Sequence, residues 1–278
     1  MSALAVEALL RIKYHPAFAT GPAIGARGYT MPLIDQPLVI PVEEANQARL
    51  AQHGITIEGT AGEGSLIVMD AQMPKLDILC RFGGHADCAA ILGRGEMFGG
   101  EVVFTGPHGI FVSAGFGRMG AVPSRLAVMV DAHCGAYFGQ GVTSADSRWQ
   151  VEGDQATPCA LMVGDDTMIE ADVWGRNFDS HAIIDIESLA VINRPGSVIL
   201  GPHCWIGPNV RIARALRIGA GSIVDLGAIV ISDIGDYVAA GGAPAQVLRE
   251  GVTWDRGRRP SADQIRAVLA AISGSPGA

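Results

Sequence analysis

The sequence predicts an all-β solenoid of parallel strands, preceded by a small mixed α/β region and closed by a C-terminal helix. Three observations carry that prediction. Leu200, Ile206, Ile212, Ile218, Val224 and Val230 recur at a strict spacing of six. Two residues before each of the later five sits a residue that is mostly small: Cys204, Val210, Leu216, Ser222 or Ala228. Glycine supplies 37 of 278 residues and sits among Ile, Val and Leu rather than in Ser- or Gln-rich tracts, well above the average of about 7%. A period of six matches neither an amphipathic helix nor an alternating strand. It fits a triangular coil with six residues per side. The branched residue points inward, the small one packs at the corner, and glycine or a substitute supplies the turn.

Met1 to Phe18 carries Glu7, Arg11, Lys13 and His15 and lacks the clean apolar core of a targeting signal. A helix is predicted over Val42–His53, opened by Pro41 and stopped by Gly54. Ile55–Glu58, Ser65–Met69 and Leu76–Leu79 read as short strands. From about 80 to 175, apolar runs such as Val102–Phe104 and Ile110–Val112 alternate with glycines, as repetitive β-structure does. The hexad starts with Val163 and Ile169, with Thr167 and Val173 at the small positions. It breaks between Gly175 and Ser197, then runs from Leu200 to Val230. The residue after a core position is usually turn-forming or small: Gly201, Gly207, Ala213, Gly219 and Asp225. Ser261 and Gln264 form a capping box for a helix to Ile272, whose Ile265, Val268, Leu269 and Ile272 share a face. The expected division is an α/β region over 1–80, the solenoid over 81–255 and a helix and tail over 256–278.

A net charge of -8 argues against a nucleic-acid binder, which needs a basic footprint. No apolar run reaches the ~18 residues of a membrane span. Five cysteines at irregular spacing, with no CxxC pair, suggest neither a disulfide framework nor a thiolate zinc site. A reducing, cytoplasmic location is expected.

The residues from Arg194 to Gly207, with Cys204-Trp205-Ile206-Gly207, resemble the segment ending in Val-Trp-Ile-Gly of the hexapeptide-repeat acyltransferases. Gly241 to Arg249 is similar to their closing Gly-x-Pro-Ala-Lys-Val-Ile-Arg. Asn177 to Asp185, which contains Asp179-Ser180-His181, resembles the Asp-x-His-x-Ile loop of sugar and polysaccharide O-acetyltransferases, as do Ile192-Asn193 and a trailing Trp254. The resemblance implies a left-handed parallel β-helix, although right-handed crossovers are the rule for parallel strands. It also implies a homotrimer, acetyl-CoA as co-substrate with no metal, and a sugar or polysaccharide acceptor.

Acetyl transfer to a hydroxyl needs a base and donors for the oxyanion. His181 is the candidate base: it sits in the insertion that breaks the period, and the resemblance places the catalytic histidine there. Trp205, 24 residues on, is implied to assist through its indole N–H, a pure donor. Asp179 and Asp185 are both candidates to orient His181. Coenzyme A is expected in a groove between subunits, against Leu226, Gly227, Ile231, Ser232, Gln246 and Arg249. Ser232 and Gln246 stand where the family often has cations, so Arg249 is expected to meet the phosphate, with Arg211, Arg214 and Arg217 in reserve. His133 and His203 are weaker candidates as metal ligands. Trp149 is a candidate to stack on a sugar or to pack, and Cys204 is read as filler. The alternatives are N-acetylation of an amino sugar, a metal-dependent hydratase like the γ-class carbonic anhydrases, or a non-catalytic scaffold.

Overall fold

All six residues of the period, Leu200 to Val230, are completely buried. So are Val163 and Ile169 upstream. In the computed structural model, which describes residues 3–120 and 122–273, successive members of the hexad fall on three faces in turn. The chain winds from a first face (Val198–Leu200) to a second (Trp205–Ile206) and a third (Arg211–Ile212). It returns to the first at Leu216–Ile218. Each strand then lies parallel to its equivalent one coil earlier, with Leu200 opposite Ile218, Ile206 opposite Val224 and Ile212 opposite Val230. Among the described residues, the first, second and third faces are sheets of eight, six and nine strands. One apolar core runs down the axis between them.

The corners separate two demands that the sequence pattern merges. The glycine directly after a core residue is not the left-handed one. Gly201 and Gly219 are needed for close stacking of coils: a Cβ at Gly219 would lie 2.3 Å from the Asp236 amide nitrogen. The left-handed position comes two residues later. There His203, Asn209, Gly221, Gly227 and Tyr237 have φ between 56° and 68°, a region that favours glycine and tolerates Asn.

The expected boundary near residue 81 falls inside the solenoid. Asp77–Gly83 pairs in parallel with both Ile55–Thr60 and Phe98–Phe104 on the third face. Leu66–Asp70 likewise pairs with Ala89–Leu92 on the first. The early coils are longer and less regular than the later ones, so no hexad marks them. Of the predicted helix over 42–53, Glu44–Asn46 forms a 3-10 turn and Gln47–Gln52 an α-helix, before Gly54 turns the chain at φ +77°.

Residues upstream of the first coil cover the outside of the first face. After an unanticipated helix, Ala3–Tyr14, Phe18, Tyr29 and Ile34 pack on Ile91, Ile110, Val112 and Met162 in a second apolar cluster. The middle first-face strands, Ala89–Leu92, Ile110–Ser113, Gly135–Phe138 and Ala160–Val163, are therefore buried on both sides. Asp70, fully buried, fastens this cover: it accepts from the amides of Asp35, Gln36 and Gln72 and meets Arg94 at 3.2 Å. Antiparallel strands close the ends, Pro37–Pro41 on the first face and Gln246–Glu250 on the second. The C-terminal helix spans Ala262–Ser273, and its capping box forms as predicted, Ser261 N to Gln264 Oε1 at 2.7 Å and Gln264 N to Ser261 Oγ at 3.3 Å.

Candidate active site

The break in the period is an excursion at the corner between the third and first faces. The third-face strand Val173–Arg176 ends at Asn177, which is buried. Its side-chain amide donates to the carbonyls of Glu152 and Gly196, both at 2.8 Å, and its Oδ1 accepts from the Glu152 amide at 2.8 Å. Asn177 thereby joins both feet of the excursion to the preceding coil. Beyond it the chain folds into a small hairpin: Asp185 N donates to Ala190 O and Ile192 N to Ile183 O.

His181 stands exposed at the base of this hairpin. Its Nδ1 lies 2.9 Å from the Ser180 carbonyl. A carbonyl only accepts, so Nδ1 is the donor in this contact, and in the neutral ring the free lone pair is then on Nε2. Ser180 adopts φ +61° to make this turn and donates its hydroxyl to Glu152 at 2.7 Å.

Asp179 and Asp185 have different tasks. Asp185 accepts from Ser188 N, Ser188 Oγ and Glu187 N, so its carboxylate closes the hairpin tip. The Ser188 amide, foremost, holds its pKa below the usual carboxylate value. Asp179 meets Arg176 at 3.4 Å and accepts from Asn193 Nδ2 at 3.2 Å. Asn193 also donates to the His181 carbonyl at 2.9 Å and accepts from Ile183 N at 2.6 Å. Asp179 thus bears on the backbone of His181 through Asn193, not on the ring. A cavity of about 380 Å³ lies under the loop, lined by Asn177, Asp179, Asn193, Arg194 and Arg214 among others. Among the described residues, neither Arg194 nor Arg214 is in an ion pair.

Trp205 lies on the second face, away from the corner that carries His181. Its indole N–H donates to Glu170 Oε1 at 2.6 Å, and its ring tilts against Trp254 at 6.0 Å. One chain alone therefore does not aim this N–H at His181. Leu226 and Gly227 form the corner between the second and third faces, and their amides are engaged by Asp225 Oδ1 and Pro208 O. Gln246 and Arg249 lie on the closing strand nearby, paired with Gly241 and Ala239. Ile231 and Ser232 sit across the third face, directly after the strand Ile229–Val230 and below the corner of the His181 loop. The six residues expected to hold coenzyme A are thus divided between two edges of the third face and the closing strand.

The remaining candidates are placed elsewhere. His203 is buried and held at both nitrogens, 2.6 Å from Asp166 Oδ2 and 2.9 Å from the Trp254 carbonyl, with Trp254 stacked on its ring. His133 stacks on His108 at 4.7 Å. Among the described residues no group of three or more His, Cys, Asp or Glu is arranged to hold a metal ion. Trp149 is buried, donates to Ser147 and packs over Gly175, so it is a core residue and not a sugar platform. Cys204 is buried, and burial pushes its thiol up to about 12. Arg211 donates to the Asp172 and Val210 carbonyls, and Arg217 pairs with Asp236 at 3.7 Å. Sequence reasoning assigned no role to Asn177, which it met only as the first residue of a motif, and missed Glu170, which lies in none.

The solved structure of the polysialic-acid-specific acetyltransferase NeuO superposes with a TM-score of 0.62 at 22% identity, over 74% of this chain and 91% of that one. The chain has the fold of the hexapeptide-repeat acyltransferases. Its left-handed β-helix also has sequence relatives that are acetyltransferases by name. The polysialic acid O-acetyltransferase of Escherichia coli O1:K1 is 37% identical over 98 residues, 35% of this chain and 32% of that protein. The probable acetyltransferase Rv3034c of Mycobacterium tuberculosis is 32% identical over 117 residues, 40% and 38% of the two chains. The galactoside O-acetyltransferase of Escherichia coli K12 is 40% identical over 53 residues, 19% and 26%. The chain thus spans about a third of the length of the curated relatives it matches. No family model matches it. Among the described residues no helix is long and apolar enough to cross a membrane.

Proposed function

We propose that this hexapeptide β-helix transfers an acetyl group from acetyl-CoA to a hydroxyl of a saccharide, with His181 as general base. The observation that carries the proposal is the His181 ring. Its Nδ1 is tied to the Ser180 carbonyl, which leaves Nε2 of the neutral ring free to act as a base, on an exposed residue of a loop pinned by Asn177 and Asn193. Nε2 takes the acceptor's hydroxyl proton as that oxygen attacks the thioester carbonyl. The tetrahedral intermediate then collapses, the C–S bond breaks, and the thiol of coenzyme A leaves with the proton returned from Nε2. No acyl-enzyme is needed, in keeping with a buried Cys204.

Acetyl-CoA is assigned to the groove beside Leu226, Gly227 and the closing strand, and Trp205 to a second copy's reacting centre. The working form is then a homotrimer in the cytoplasm, with the site shared between neighbouring copies. Support comes from the separation of His181 and Trp205 on different faces of one chain, and from the sugar acetyltransferases among the sequence relatives.

The test is thiol release from acetyl-CoA across a panel of saccharide acceptors, with His181→Ala alongside. The expected result is a rate lowered ~10²–10⁴-fold in the variant, with acetyl-CoA binding retained. Full activity in His181→Ala would remove the histidine from the chemistry.

A further inference from the structure

A second depression lies on the outside of the third face, at the opposite end of the strand that leads to the His181 loop. It measures about 320 Å³ and is lined by Asp146, Arg148, Asp172, Val173, Trp174 and Arg211. Parallel register puts Arg148, Trp174 and Arg211 in one line across three coils. Asp146 and Asp172 occupy the same corner one coil apart, each directly before its third-face strand.

The electrostatics of this group are unresolved within the chain. Coils in parallel register are ~4.8 Å apart, and like charges in neighbouring strands repel. Yet among the described residues the side chains of Asp146, Arg148 and Asp172 make no hydrogen bond or ion pair. Arg211 turns its guanidinium to the Asp172 and Val210 carbonyls instead of to either carboxylate. Trp174 is half-buried, and the Arg176 guanidinium lies over its ring at 5.2 Å from the centroid, so it takes one face of the indole and leaves the other for a ligand. Two carboxylates, the Arg148 guanidinium and an indole ring therefore line one depression. The ligand that satisfies all three has an apolar face and several hydroxyls, as a sugar ring has. A phosphate-rich ligand is disfavoured, because Asp146 and Asp172 offset Arg148 and Arg211 and leave the lining without net positive charge.

We infer that this depression is a remote saccharide subsite, so that the acceptor is an oligosaccharide and not a single sugar. The ring stacks on Trp174, and its hydroxyls donate to Asp146 and Asp172. Three strand steps separate Trp174 from Asn177 at the foot of the His181 loop, a span of about 10 Å. That span exceeds one ring, so a chain with one unit at Trp174 reaches His181 with another. The direction of the bound chain rests on the proposed transferase reading. The binding itself does not.

The experiment measures binding of the full chain to an array of neutral and acidic glycans, from single sugars to hexasaccharides, without acetyl-CoA. Calorimetry with the best-retained hexasaccharide and, separately, with acetyl-CoA follows. Binding is expected to strengthen with length. Trp174→Ala and Asp146→Asn/Asp172→Asn are each expected to weaken the hexasaccharide by about tenfold, the scale of one aromatic contact, and to leave acetyl-CoA affinity unchanged. Trp174→Phe should recover part of the loss. Circular dichroism confirms that each variant folds. The subsite is overturned if no glycan is retained, if both variants bind the hexasaccharide as the unaltered chain does, or if they weaken acetyl-CoA instead. Failure of the transferase reading is a different result: no thiol release and no acetyl-CoA binding, with glycan retention intact.

Discussion

Gly219 and Gly227 look alike in the sequence and differ in what they do. Gly219 lies where the next coil leaves no room, with Asp236 N at 2.3 Å from the position of a Cβ. Gly227 has φ +67° but open space around it. Gly219→Ala is therefore expected to destabilise by about 1–3 kcal/mol, as overpacking does. Gly227→Asn is expected to stay within about 0.5 kcal/mol, because Asn209 already holds the equivalent corner at φ +60°. Thermal unfolding of the two variants side by side checks the contrast. The hexad made the buried positions legible residue by residue. It did not reveal which small residue serves stacking and which serves the turn, because both fall once per side. The excursion that carries His181 was legible from the broken period. Asn193 was visible only as part of a motif, because its contacts to Asp179, His181 and Ile183 form only once the loop has folded back, and Glu170 not at all, because it meets Trp205 across coils. All five cysteines are buried, and burial holds the thiols of Cys80, Cys134 and Cys204 up to about 12. A thiol-specific reagent near pH 8 is accordingly expected to label the native chain slowly and the denatured chain at all five positions.

At the scale of elements, the segment before the C-terminal helix acts as a clasp across the coils. Thr253 donates to Gly221 O, Trp254 and His203 exchange hydrogen bonds, and Arg256 reaches Asp166 and Thr143. Burial pushes the Asp166 carboxyl up, but the His203 hydrogen bond and the Arg256 charge outweigh it and leave the pKa below the ordinary value. A depressed carboxylate stabilises the fold above its unfolded pKa of about 3.9 and loses that contribution as pH falls through the folded value. The clasp is thus expected to hold at neutral pH and to loosen in acid, below about pH 4. Tryptophan fluorescence follows it, because Trp254 stacks on His203. Asp166→Asn should give the loosened signal at neutral pH; an unchanged acid transition in that variant would assign it to other carboxylates. The capping box of the helix was legible because it is local. The clasp was not, because Arg256 and Thr143 meet only after the solenoid has wound.

Across the whole molecule, the three faces are covered to different degrees. The first is sheathed by residues upstream of the coils, fastened at Asp70. The solenoid's extent was under-read in the sequence because register partners in the early coils, such as Val68 with Ile91 and Val112 with Tyr137, are more widely and unevenly spaced than Leu200 with Ile218. The hairpin beyond His181 is the conspicuous uncovered part. Ile186 is 88% exposed and Leu189 80% exposed, and a cluster of exposed apolar side chains marks a contact surface. Under the proposed trimer, this hairpin lies against the neighbouring copy, and the neighbour's second face supplies Trp205. Light scattering is then expected to give about three times the 28.9 kDa chain mass. Ile186→Asp/Leu189→Asp should lower that mass and reduce acetyl transfer together. The hairpin stands outside the coil core, so circular dichroism should show the β-helix retained. A variant that stays trimeric would assign the interface to another face, and a monomeric variant with full activity would place the whole reacting centre within one chain.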